Sequence, residues 1–337
     1  MERQESTLSG DFINAKVRGM RSKLLEAERL LALTDARTLP ELMRRIRPNQ
    51  PFEGSLAFER DLLRDTIRDL DMVARYLSGD TYHLFEWMMV RYQVENLKVA
   101  LRFFLAGENR ASAQALMAPV PNWLALPLDE LFQATDLKRF VAAVPRKELR
   151  EALEEQLAAE RKPDVFQLDS ALDGAWLART TELVLPLGDI VRRMVGYDVD
   201  ARNALLVLRA KFNYGRSFAD VEPFLAHPPH LVNSDLFQKL TEAPDLAQAL
   251  QRLPAVLLPD DLRPSVRTLS QLEDAFQVQQ YRLALRSFAE SVLDVAIVIA
   301  YYYLKNAELA NLIRLTEAVR HSMPREEIDQ TLILRER

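Results

Sequence analysis

Two histidines three residues apart, His227 and His230 in His-Pro-Pro-His, are the most ligand-like pair in the chain. On a helix that spacing would turn both imidazoles to one face and offer them to a metal. Pro228 and Pro229 between them forbid the helix, so the pair reads as loop histidines and no metal is expected. Adjacent carboxylates at Glu154-Glu155 and Asp260-Asp261 have the groups for general acid–base work. That work needs a pocket, nothing around them implies one, and they read as solvated. The chain has no cysteine, which removes thiolate nucleophiles, zinc–thiolate sites, iron–sulfur clusters and disulfides, and fits a reducing compartment. The nine glycines are too dispersed to make a GxGxxG or GxxxxGK[ST] phosphate loop. The expectation is a chain with no catalytic residue, no cofactor and no metal.

The polar residues that do recur are asparagines. Asn96 lies in Glu95-Asn-Leu-Lys-Val-Ala-Leu-Arg102, Asn203 in Arg202-Asn-Ala-Leu-Leu-Val-Leu-Arg209, and Asn311 in Ala310-Asn-Leu-Ile-Arg-Leu-Thr-Glu317. They stand 107 and 108 residues apart, each interval about a third of the 337-residue chain. An amide buried without a partner is costly, so one residue type at one place in each unit reads as architecture, a hydrogen bond to a neighbouring turn or helix. Contact with a partner is the other reading. Asp198, Asp200 and Glu308 precede their Asn on the same helix. They could pair with Arg or Lys of the next unit, or face a partner. Arg102, Arg209 and Lys211 close the first two Asn helices, where a cation complements the helix C-terminus.

The elements that must carry these residues are helices. Apolar residues recur at three and four, as in Leu24, Leu25, Leu30, Leu31 and Leu33, and again in Leu62, Leu63, Ile67, Leu70, Val73, Ala74 and Leu77. β-Branched alternation is scarce, and the fold class predicted is all-α. A short helix stops at a proline three times, at Pro48, Pro145 and Pro254. A longer helix follows each, opening near Leu56, Leu168 and Leu272, and the Asn helix closes the unit. Gly107 and Gly215 lie where a helix C-cap belongs, and the third copy has His321 and then Pro324 instead. The repeats run approximately 12–107, 112–215 and 220–321, giving units 1–107, 108–215 and 216–337, the last with a C-terminal helix. Pro-rich connectors at 117–127 and 223–230 read as loops or helix breaks. Three similar helical units can pack around a common axis, a shape suited to a ring-shaped partner.

Composition narrows the partners. With 44 Lys+Arg against 49 Asp+Glu the formal charge is −5, so there is no basic field and no nucleic-acid partner is expected. The opening MERQESTLSGDFINAK carries charges and no apolar stretch, so no signal peptide is expected. The longest apolar run, Val295 to Leu304, falls short of the roughly 20 residues a spanning helix needs, and its three tyrosines read as core. Trp123 and Leu124, in a Pro-flanked loop, are the candidates for touching a partner.

These residues resemble the C subunit of the prokaryotic V/A-type ATPase, the relative of the d subunit of the eukaryotic V-ATPase. Phe12-Ile-Asn-Ala-Lys-Val-Arg-Gly-Met-Arg-Ser-Lys-Leu-Leu is similar to that family's opening helix. The stretches from Tyr92 to Arg102, Tyr197 to Lys211 and Tyr301 to Arg314 resemble its three Asn motifs. In the last of these Lys305, Glu308 and Asn311 match the family's Lys, Glu and Asn. Met323-Pro-Arg-Glu-Glu-Ile328 resembles the start of its closing helix. The chain departs from the family after Asn311, which lacks the usual Gly-Lys step, and after the short helices, where Phe52 is the nearest counterpart of a common tyrosine.

The resemblance covers nearly the whole chain. It implies a funnel of three similar subdomains with pseudo-three-fold symmetry. It further implies a central-stalk rotor subunit, one copy per complex, that joins the shaft subunits of the catalytic head to the membrane rotor ring. Such a subunit transmits torque, does no covalent chemistry, and sits on the cytoplasmic face of the membrane through its complex. On that reading Arg102, Arg209 and Lys211 could also form a basic rim against ring loops. The alternative is a free α-helical scaffold or adaptor, and an enzyme with an unrecognised site is the third reading.

Overall fold

The computed structural model describes residues 10–159, 163–291 and 296–334. Residues 1–9 of the opening segment and Val295 at the head of the apolar run lie outside the described residues. Among the described residues there are sixteen α-helices, four short 3-10 turns and no strand. In chain order the first half holds α1 (Gly10–Arg21), α2 (Glu28–Leu31), α3 (Leu39–Ile46), α4 (Ser55–Ala74), α5 (Gly79–Leu105), α6 (Arg110–Leu116), α7 (Leu128–Gln133), α8 (Leu137–Ala142) and α9 (Lys147–Ala159). The second half holds α10 (Val165–Val184), α11 (Asp189–Tyr214), α12 (Asp235–Thr241), α13 (Leu246–Arg252), α14 (Leu269–Glu290), α15 (Ala296–Arg320) and α16 (Arg325–Thr331).

Local chemistry accounts for the boundaries. The short helices α3, α8 and α13 open on side-chain caps, Thr38, Asp136 and Asp245, whose oxygens take the N–H of Glu41, Arg139 and Gln248. Each stops shortly before its proline, at Ile46, Ala142 and Arg252, because Pro48, Pro145 and Pro254 push the preceding residue out of helical conformation. The longer helices α10 and α14 start on full capping boxes, Asp164 with Gln167 and Thr268 with Gln271. The three long Asn helices, α5, α11 and α15, end alike. Gly107 and Gly215 take φ of 70° and 64° just past the first two, as a helix stop requires. Ser322 takes φ 55° past α15, and Met323 N–H bonds back to the Ala318 carbonyl. The third stop is therefore Ser322 rather than the expected His321–Pro324 pair. The positive-φ residue stands eleven, twelve and eleven residues beyond Asn96, Asn203 and Asn311.

One expected helix face is broken. Leu24 to Leu33 does not run as a single helix: α1 ends at Arg21, α2 begins at Glu28, and Ala27 between them has φ 46°. The Leu25 N–H is spent on the Glu308 carboxylate at 2.7 Å, which takes it out of any helical ladder.

The chain divides into two compact units by contact. The first comprises Met1–Ser78, Gly188–Asp198 and Leu253–Arg337. Here α15 packs against α14, α4 and α1, with Tyr301, Tyr302 and Tyr303 all buried. Leu30, Leu42, Phe58, Leu62, Leu312 and Leu315 close one continuous apolar cluster. Burial of Phe58, which has no exposed surface, is worth about 1.5–3 kcal/mol. The second unit comprises Gly79–Leu187 and Val199–Arg252. Its centre is the packing of α10 on α5 and α9. The α5–α10 seam carries an exchange of indole bonds. Trp87 Nε1 donates to the Trp176 carbonyl at 2.9 Å, and Trp176 Nε1 donates to the Trp87 carbonyl at 3.0 Å. Both rings are buried, so each needs a partner for its one polar atom.

Candidate functional site

Each repeated asparagine is buried, with 4%, 0% and 3% of its surface exposed at Asn96, Asn203 and Asn311. Each pairs both ends of its amide with the backbone of a single residue further along the chain. Asn96 Nδ2 donates to the Ala118 carbonyl at 3.0 Å, and Asn96 Oδ1 accepts from Ala118 N–H at 2.7 Å. Asn203 does the same with Ala226, at 2.9 and 3.1 Å. Asn311 does it with Ile333, at 3.0 and 2.6 Å. The separations are 22, 23 and 22 residues. An amide offers one donor and one acceptor side by side, as a strand neighbour would, so it closes a two-bond ring with one peptide residue. Aspartate, serine or leucine at this place would leave one bond or both unmade.

A second side chain, three residues before each Asn and one helical turn away, works beside the clamp. Gln93 Nε2 donates to the Leu124 carbonyl at 3.0 Å, while its Oε1 accepts from Arg146 Nε at 2.6 Å. Asp200 accepts the N–H of His230 at 3.0 Å and of Leu231 at 2.6 Å. Glu308 accepts the Leu25 N–H and pairs with Lys305 at 2.8 Å. The first two grip the same connectors that Asn96 and Asn203 hold, a few residues further on.

Burial sets the electrostatics. It pushes the Asp200 carboxyl above the usual carboxylate range, although the N–H groups of Leu231 and His230 pull it down. The His230 imidazole is lowered, again by burial first, with Asp200 opposing. Lys305 is raised: burial lowers it, and Glu308 and Asp69 outweigh the burial from 2.8 and 3.1 Å. On the α5–α10 seam Asp173 lies between Arg91 and Lys98. Burial acts to raise its carboxyl, and the two cations leave it lowered.

The remaining residues singled out in the sequence fall as follows. Arg102, in the last turn of α5, pairs with Asp169 of α10. Lys211, in the last turn of α11, donates to the Thr241 carbonyl. Arg209 is half-buried on α11. Asp198 meets the Tyr303 hydroxyl at 3.3 Å. The expected Arg or Lys from another unit is not what holds Asp200, whose bonds go to backbone N–H groups, or Glu308, whose cation is Lys305 on its own helix. Trp123 is half-buried with Arg146 stacked 5.9 Å from its ring centre. The expectation that Leu124 touches a partner does not fit its position: it has no exposed surface, because its 3-10 turn folds the side chain inward. His227 is exposed, and the His230 ring lies 3.4 Å from the Thr181 hydroxyl. Among the described residues no group of three His, Asp or Glu could hold a metal ion, and no helix is long and apolar enough to cross a membrane.

Sequence reasoning missed the clamp partners and Gln93. A signal was present: the Pro-rich connectors begin at Met117 and Pro223, so each stands at a nearly constant distance beyond its Asn. Gly174 was also missed. A Cβ there would come within 2.6 Å of the Phe224 carbonyl oxygen, so the connector turn Glu222–Phe224 packs directly on α10.

A family model described as ATP synthase (C/AC39) subunit matches residues 13–331. A protein of Methanosphaera stadtmanae, named as the C subunit of an A-type ATP synthase, is 22% identical over 337 aligned residues, covering 96% of this chain and 87% of its own length. A protein of the same name from Methanocaldococcus jannaschii is 23% identical over 216 residues, covering 59% of this chain and 54% of its own.

Proposed function

Since the chain belongs to the ATP synthase (C/AC39) subunit family, we propose that it is the central-stalk subunit of a V/A-type ATP synthase or ATP-driven ion pump. In this role it has no catalytic chemistry of its own. It joins the shaft subunits of the catalytic head to the membrane rotor ring, one copy per complex, and carries torque between them. It lies on the cytoplasmic side, held to the membrane through the complex.

The observation that carries this reading is the extent of the family match, residues 13–331, which takes in two complete asparagine clamps and Asn311 of the third. The three clamps support a division of the chain into three repeat units, 1–107, 108–215 and 216–337. They also suit a part under load. A torque-bearing part must not yield at its connections, and each connector held by a buried amide resists opening more than a solvated loop does. Ala118 and Ala226 lie in two connectors held this way.

The test is native mass spectrometry of the tagged chain, purified in mild detergent from the membranes of its host. One copy arriving with head, shaft and ring subunits is the expected result. Arrival alone, or with soluble proteins only, would overturn the proposal and favour a free scaffold.

A further inference from the structure

Arg146 follows the proline stop at Pro145 in the second unit, and among the described residues no carboxylate bonds to it. Three side chains hold it in place. Its Nε donates to Gln93 Oε1 at 2.6 Å, and its guanidinium carbon lies 5.9 Å from the ring centres of both Trp87 and Trp123. Gln93 is only 2% exposed, and its other end holds the Leu124 carbonyl at 3.0 Å. One buried amide therefore fixes both the arginine and the turn that carries Trp123. A guanidinium has five N–H donors, and Gln93 takes one. Among the described residues the four on Nη1 and Nη2 have no partner, and they are not sealed from solvent. Arg47, Arg91 and Arg314 are half-buried like Arg146, yet each meets an aspartate at 2.5 Å. Burial lowers the pKa of Arg146, and Glu86 and Glu148 oppose it only through longer-range attraction.

We propose that Arg146 and Trp123 form a docking point for an aspartate or glutamate side chain of another subunit of the same complex, its carboxylate taking Nη1 and Nη2 in a two-bond fork and its backbone resting beside the Trp123 ring. A desolvated cation with unspent donors selects an anion, and the planar pair of Nη groups matches the two oxygens of a carboxylate. A phosphate would bring a charge of about −1.5 to −2 into the field of Glu86 and Glu148, so the singly charged carboxylate is the better match. An arginine beside a half-buried indole is also the composition of an interface anchor, which favours a protein segment over a free ion. Because Gln93 and the two indoles already hold the guanidinium, little side-chain freedom is lost on docking. The inference rests on the chain's place in the ATP synthase complex.

The test uses that complex, purified in mild detergent from the host, with Arg146→Lys in this chain. Lys147→Arg is added to remove the neighbouring exposed amine. A water-soluble carbodiimide, which joins an amine to a carboxylate in contact with it, is applied and the product is mapped by mass spectrometry. The expected product links residue 146 to an aspartate or glutamate of another subunit. Coupling only to Glu86 or Glu148, or no coupling in a complex that contains the variant, overturns the docking proposal and leaves the stalk reading standing. If the variant does not assemble, Trp123→p-benzoylphenylalanine with Arg146 intact reads the same contact. Light should then join residue 123 to an Asp- or Glu-bearing segment of another subunit. A link to lipid, to a segment without carboxylates or to nothing overturns the proposal. A complex that lacks the unsubstituted chain overturns the stalk reading and this proposal with it.

Discussion

Removing one asparagine amide should loosen a connector without disturbing the helix that carries it. Asn203 is the cleanest place to do so, because both it and Ala226 have no exposed surface. Asn203→Ala deletes the bonds at 2.9 and 3.1 Å and takes from a buried peptide the partner of its N–H and of its carbonyl. Leaving a buried polar group unsatisfied costs about 1–3 kcal/mol, so the pair costs about 2–6 kcal/mol. Because the chain holds two compact units, a local readout is preferable to a global melting curve. Hydrogen–deuterium exchange at Ala226 supplies it. At 1.4 kcal/mol per decade, a loss of about 2 kcal/mol speeds exchange about 30-fold.

Asn203→Asp sharpens the test. It keeps an acceptor for the Ala226 N–H but sets a carboxylate oxygen against the Ala226 carbonyl in a buried site. Burial should raise its folded-state pKa above the unfolded value, so the ionised form destabilises the fold at neutral pH. As pH falls through the folded pKa the acid becomes neutral, and its O–H can donate to the carbonyl. Relative to the parent at the same pH, the Asp variant should therefore recover protection on acidification, and the Ala variant should not. Exchange at Ala226 within threefold of the parent in Asn203→Ala would refute the clamp as an energetic device. A pH-independent defect in the Asp variant would refute the role given to Nδ2.

Three further outcomes are expected. Gly174→Ala puts a Cβ 2.6 Å from the Phe224 carbonyl oxygen, so the turn must shift, at about 1–3 kcal/mol, read as a lower urea midpoint with faster exchange confined to residues 222–226. Lys305→Met strands Asp69 and Glu308, at about 3–5 kcal/mol, read by urea unfolding. In the parent, Lys305 has a raised pKa, so its contribution is complete below about pH 10.4 and is lost as pH rises through the folded value; in Lys305→Met this alkaline loss should vanish. His230 has a lowered pKa, so the fold resists a proton that the unfolded chain takes up below about pH 6.5, and stability falls as pH drops from there. His230→Gln should flatten the difference between urea midpoints at pH 7.5 and pH 5.5; an unchanged difference would show that His230 does not set it.

Much of this was legible in the linear chain, and for identifiable reasons. Helix periodicity, the three proline stops and the glycine stops at Gly107 and Gly215 are properties of residues close in sequence, so α3, α8, α13 and the ends of α5 and α11 could be placed without tertiary information. The recurrence of Asn96, Asn203 and Asn311 marked where a buried polar group must be paired, since an unpaired amide is too costly to be kept three times over.

What each amide pairs with was settled only in three dimensions. A hydrogen bond across 22 or 23 residues needs the intervening helix or turn to bring the connector back, and no local propensity encodes that return. The same holds for Glu308 and Leu25, 283 residues apart, whose bond breaks what reads in sequence as a continuous leucine face. It holds for Leu124, whose apolar side chain the sequence leaves free to point either way and whose turn sends it inward. Periodicity reports which face of a helix avoids water; only the packed chain decides which backbone, ring or carboxylate fills the space against it.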